Sequence, residues 1–136
     1  MTIPTIILNI TNGCNLACAY CYYKYETSVS ENTMSVGTVK TVFEKLQESC
    51  HDRFNMILHG GEPLTKGKSF FKKYLANQNK LLHSKTIQNY IQTNGTLLNE
   101  EFITEFLSNR HDFRVGLSID GTQSVHDQNR VFKRNQ

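Results

Sequence analysis

No apolar run in the 136-residue sequence approaches the ~18 residues that a membrane-spanning helix needs, so no spanning helix is expected. The opening "MTIPTIILNI" has neither a basic n-region nor a small-residue cleavage site, and the chain is expected to remain in the cytoplasm. A formal charge of +3 without a basic stripe gives no reason to expect a nucleic-acid partner. The lysines from Lys66 to Lys73 are interrupted by Phe70 and Phe71 and read as the solvated face of a helix. Internal repeats and low-complexity segments are absent. Cysteine is scarce, with four in all, and disulfides are rare in a reducing compartment. Clustered cysteines are therefore expected to be ligands rather than staples.

The length suits one compact domain and falls short of the ~250 residues of a full β/α barrel. Strand and helix patterns alternate. Thr5 to Ile10 is β-branched, and Val36, Val39, Phe43, Leu46 and Cys50 recur at helical steps behind a Thr33 or Ser35 cap. Phe54 to His59 is a second strand. A helix follows with Phe70, Phe71, Tyr74, Leu75, Leu81 and Leu82 on one side, then a third strand from Thr86 to Thr93. Asn99 caps a helix striped with Phe102, Ile103, Phe106 and Leu107, and Phe113 to Ile119 is a fourth strand. A polar tail begins a possible fourth helix. The order β-α-β-α-β-α-β predicts an α/β fold with a parallel sheet and right-handed crossovers.

The loops leaving the C-terminal ends of parallel strands converge on one face. "TNGCNLACAYCYY" follows strand one, "GGEP" strand two, "QTNG" ends strand three and "SIDG" ends strand four. Cys14, Cys18 and Cys21 can surround one centre, and thiolates select zinc, copper(I) or iron–sulfur clusters. Structural zinc takes four protein ligands, and neither a second cysteine pair nor a nearby histidine is present. A four-iron cluster binds one thiolate per iron, so three cysteines leave one iron open to another ligand. Gly60 and Gly61 permit close backbone approach, Glu62 offers an acceptor for an ammonium group, and Pro63 stiffens the turn.

"CNLACAYC" with "GGEP", "QTNG" and "SIDG" resembles the radical S-adenosylmethionine superfamily, most closely the branch of SPASM-type peptide and protein maturases that includes anaerobic sulfatase-maturating enzymes. The resemblance implies a partial TIM-like β/α barrel, of which residues 1–136 supply the N-terminal portion, about four units of the core domain. It implies that Cys14, Cys18 and Cys21 hold a [4Fe-4S] cluster whose open iron chelates S-adenosylmethionine. Tyr20 would lie near the adenine and Gly60, Gly61, Glu62 and Pro63 would hold the methionine ammonium. Thr93 and Asn94 would flank the cofactor, and Ser118 would bind its polar groups. Arg130 is a candidate for its carboxylate; His126 and Asp127 receive no role. Reductive cleavage would yield a 5′-deoxyadenosyl radical that modifies a peptide or protein side chain, with reduced flavodoxin or ferredoxin as electron donor and a low-oxygen setting.

A non-catalytic iron–sulfur carrier or metal-binding module is the alternative. Cys50 would then be a fourth ligand, whereas its position on a helical stripe suggests a small buried hydrophobe. Zinc held by the three cysteines and a distant histidine is a further alternative. His59 either approaches the site or simply ends its strand, and Tyr22, Tyr23 and Tyr25 are expected to pack over the loop. Strand four has no following helix to cover it, so the chain is expected to be incomplete at its C-terminus.

Overall fold

The computed structural model describes residues 2–25, 33–107 and 113–133. Strands β1 (Thr5–Thr11), β2 (Arg53–Gly60), β3 (Thr86–Thr93) and β4 (Phe113–Leu117) form one sheet in the order β1-β2-β3-β4, parallel throughout. Each strand is added beside the last, so the sheet winds in one direction like a stretch of barrel wall. A doubly wound sheet would reverse at a switch point. Helices α1 (Val36–Gln47) and α2 (Gly67–Leu81) make the first two crossovers. Short α3 (Glu100–Phe102) runs on as π-helical turns over Ile103–Leu107, and α4 (Gln123–Asn129) follows β4. The expected alternation is present, and so is the fourth helix.

The helices cover one face of the sheet. Leu8, Ile10, Met56, Leu58 and Ile91 point into that layer and meet Val39, Phe43, Phe71 and Tyr74. Phe71 is the hub, with its ring edge-on to Phe70 and Phe102 at centroid distances of 5.8 and 5.2 Å. Burying such a side chain stabilises the fold by roughly 1.5–3 kcal/mol. On the opposite face, Ile7 and Asn9 are exposed and His59 and Gln92 half-buried, which explains the polar alternation of "TIQNYIQT". The lysines of α2 lie on its outer side as expected: Lys68 and Lys72 pair with Glu101 and Glu105.

Ser35, rather than Thr33, caps α1, accepting the Thr38 N–H at 3.0 Å. Asn99 caps α3 through the Phe102 N–H. Three expectations need correction. The α1 stripe stops at Gln47; Cys50 lies past the helix end, exposed and beside His51, and is not a buried hydrophobe. Ile103 is exposed, because the i→i+5 turns that begin there alter the angular step on which a 3.6-residue stripe depends. Strand β4 ends at Leu117, two residues early, and Ile119 is exposed. The side chains of Leu107 and Tyr25 lie outside the described residues.

Candidate functional site at the strand ends

A register slip between Asn9 and Thr11 places both Ile10 and Thr11 on the buried side at the end of β1. Thr11 Oγ1 then accepts the Gly13 N–H at 3.0 Å and starts the cysteine loop. Gly60 and Gly61 are required by what lies against them. Gly60 has φ +135°, and a Cβ there would overlap the Thr11 carbonyl oxygen. A Cβ on Gly61 would overlap the carbonyl oxygens of Asn12 and Gly13. In place of side chains, Gly61 N–H donates to Thr11 O and Glu62 N–H to Gly13 O, both at 2.7 Å. The sequence suggests close approach of a small molecule to these glycines; in the structure they seat the cysteine loop on strand two.

Glu62 is fully buried. Its Oε1 accepts from Leu64 N–H (3.0 Å) and Thr93 Oγ1 (2.7 Å), and its Oε2 from Asn94 N–H (2.7 Å). The carboxylate therefore bolts the end of β2 to the end of β3, with Pro63 buried behind it. Asn94 carries the connection onward, donating from Nδ2 to Asn15 Oδ1 at 3.0 Å and, at 3.8 Å, to the Cys14 sulfur. Thr96 donates to the Asn94 side-chain oxygen Oδ1 from both its N–H and its hydroxyl. At the end of β4, Ser118 N–H donates to Thr93 O, and its hydroxyl accepts from Gln92 Nε2 at 3.2 Å.

The cysteines are free thiols, with Cys18 buried and Cys14 and Cys21 half-buried. Burial pushes the Cys14 and Cys18 thiols up, opposed at Cys14 by the Leu16 N–H and at Cys18 by the Arg130 guanidinium. Among the described residues no three Cys, His, Asp or Glu groups converge on a single metal ion. A set of three thiolates spread along one loop fits a multinuclear cluster that takes one sulfur per iron. Side-chain N–H groups of Asn94 and Arg130 point at the Cys14 and Cys18 sulfurs, the arrangement that outer partners of metal-ligating thiolates take.

Tyr20 is exposed, and its hydroxyl donates to Asp120 Oδ2 at 2.6 Å. Desolvation and that bond push its hydroxyl up to about 12. Arg130, the candidate for the cofactor carboxylate, is almost enclosed: its Nε donates to Asp120 Oδ1 at 2.8 Å and its guanidinium lies over the Tyr20 ring. Tyr23 accepts from Asn9 Nδ2 at 2.8 Å, and Tyr22 packs against the Tyr23 ring at a centroid distance of 4.3 Å. His126 accepts the Asp120 N–H and Asp127 is exposed. His59 stays half-buried on the open face of the sheet. Sequence reasoning missed Asn15 and Asp120. Asp120 lies within the SIDG motif that ends strand four, but nothing in the sequence pairs it with Tyr20 and Arg130, and nothing in the spacing of Asn15 marks it as a partner of Asn94.

Residues 8–135 match the family model described as Radical SAM superfamily. The serine-type anaerobic sulfatase-maturating enzyme of Bacteroides thetaiotaomicron is 40% identical over 125 residues, spanning 88% of this chain and 30% of that protein. The cysteine-type enzyme of Clostridium perfringens is 34% identical over 131 residues, 92% of this chain and 35% of that one. The solved structure of "Native anSMEcpe with bound AdoMet" superposes with a TM-score of 0.83 at 30% identity, covering 96% of this chain and 36% of that one. A related structure with bound AdoMet and Cp18Cys peptide gives 0.82 at 30% identity, covering 95% and 34%. The chain thus spans about a third of the length of the relatives it matches.

Proposed function

From the premise that the chain belongs to the radical SAM superfamily, we propose that residues 1–136 are the cluster- and cofactor-binding part of an enzyme that modifies a peptide or protein side chain. The observation that carries this reading is the convergence of three strand-end motifs, GGEP, QTNG and SIDG, on the cysteine loop that ends the first strand, tied together by the Glu62 carboxylate and by Asn94 at Cys14. Cys14, Cys18 and Cys21 would hold a [4Fe-4S] cluster and leave one iron for S-adenosylmethionine. When bound and reduced, such a cluster would supply the electron for reductive cleavage of S-adenosylmethionine to methionine and a 5′-deoxyadenosyl radical, the species that would modify the substrate side chain by taking a hydrogen atom from it.

The chain's own residues bind and orient. The backbone of Gly60 to Pro63 receives the methionine ammonium while the buried Glu62 side chain fixes that backbone from below. Thr93 and Asn94 flank the cofactor; both are already immobilised by Glu62, so they present a rigid edge. Ser118 and Arg130 face its polar groups, and the exposed Tyr20 ring offers a surface for the adenine. A peptide or protein substrate, as in the sulfatase-maturating relatives, and a reduced flavodoxin or ferredoxin as donor complete the reading.

Anaerobic reconstitution with iron and sulfide tests it. About four irons per chain are expected, lost on replacing Cys14, Cys18 or Cys21 with Ala and retained in Cys50→Ser. Retention of the full iron content by all three alanine variants would overturn the assignment.

A further inference from the structure

A strap from the other end of the chain lies along the cysteine loop. Ala17 and Ala19 donate their N–H groups to the carbonyls of Val131 (2.7 Å) and Asn129 (2.8 Å), and Lys133 N–H donates to Asn15 O (3.1 Å). Leu16 and Phe132 form an antiparallel bridge between them. The strap is led in by α4, a seven-residue helix with no buried residue. An apolar helix face is therefore not what holds it in place. Val131 and Phe132 are 44% and 65% exposed, so the strap's own apolar side chains do little more.

The side-chain anchor is Asp120. Both of its oxygens are engaged, one by Arg130 Nε and the other by the Tyr20 hydroxyl, and one bond reaches back into the loop while the other reaches into the strap. Arg130 and Asp120 are 13% and 17% exposed. The guanidinium is thereby held in one orientation, stacked 5.5 Å from the Tyr20 centroid, with Nη1 4.0 Å from the Cys18 sulfur. Donors aimed at ligand sulfurs stabilise the more negative, reduced state of a cluster and so raise its potential.

We infer that Asp120 is a positioning residue: it latches the strap 129–133 onto the cysteine loop and fixes the Arg130 guanidinium against the Cys18 sulfur. This rests on the cluster assignment above only in its second half. Two readouts separate the halves, both on the whole chain. Hydrogen exchange in the metal-free protein follows the Ala17 and Ala19 amides. In Asp120→Asn both should exchange at least about tenfold faster, Asp120→Glu should restore much of the protection, and the Leu58 and Ile91 amides of the sheet should be unchanged. After reconstitution, the cluster potential should move to more negative values in Asp120→Asn and Arg130→Met, and Arg130→Lys should recover part of the shift.

Parent-like exchange and potential in Asp120→Asn would overturn the inference. So would an Arg130→Met variant that weakens S-adenosylmethionine binding alone, with exchange and potential unmoved. If Asp120→Asn exchanges rapidly throughout, Arg130→Met decides by the same two amides: faster exchange there upholds the latch, and parent-like exchange refutes it. If the parent takes up no iron, the proposed function fails, and exchange alone decides the latch.

Discussion

At the scale of single residues, the site is held by two carboxylates with different jobs. Glu62 accepts from three donors while fully buried, so Glu62→Ala removes the acceptor of the Asn94 N–H and of the Thr93 hydroxyl proton. Each such group costs about 1–3 kcal/mol, and urea denaturation should register a loss of about 2–5 kcal/mol, with Glu62→Gln losing less. Asp120 acts near the surface. Its bonds to the Tyr20 hydroxyl and to Arg130 hold its carboxyl below the usual carboxylate range. A folded-state value below the unfolded one gives stability that is full at neutral pH and is lost as pH falls through the folded value. Thermal unfolding at pH 7 and near pH 3 should therefore show the gap between the parent and Asp120→Asn closing on acidification. A gap that widens instead would contradict the pairing. The cysteines and the GGEP tetrapeptide were legible in sequence because their chemistry is local. Asp120 was not, since its partners lie 100 residues back and 10 residues on and no spacing connects them.

At the scale of elements, the alternation of apolar periods located the four strands and the helices α1, α2 and α3 between them, and β3 falls on its expected limits; the short 3-10 turns at Tyr22–Tyr25 and Pro63–Lys66 left no such period. Periodicity failed where regular geometry did. The π-helical turns after α3 leave Ile103 exposed, and the chain turns out of α1 before Cys50. Cooperation between elements rests on Phe71, which is fully buried on α2 and touches Phe102 and Phe106 beyond the next strand. Phe71→Ala should cost about 3–5 kcal/mol in denaturant, because a rigid aromatic cluster cannot collapse into the cavity. A cost below ~1 kcal/mol would mean that α2 and α3 are not packed through this ring.

At the scale of the whole molecule, the one-way strand order gathers all four motif-bearing loops at one end of the sheet, and that gathering is what sequence order alone foretold. The strap over the cysteine loop was hidden, because backbone pairing between Ala17, Ala19 and residues near Asn129 leaves no mark on side-chain pattern. The open face of the sheet, with exposed Ile7 and half-buried His59 and Gln92, lies on the side away from the helices. The central claim is that the three loop cysteines bind a cluster with one iron free for S-adenosylmethionine. The most direct test is the electron paramagnetic resonance spectrum of the reduced, reconstituted chain before and after adding S-adenosylmethionine. A changed spectrum, in the parent and equally in Cys50→Ser, is the predicted result. An unchanged spectrum, or a cluster that disappears with Cys50, would mean a closed four-cysteine centre and would contradict the account.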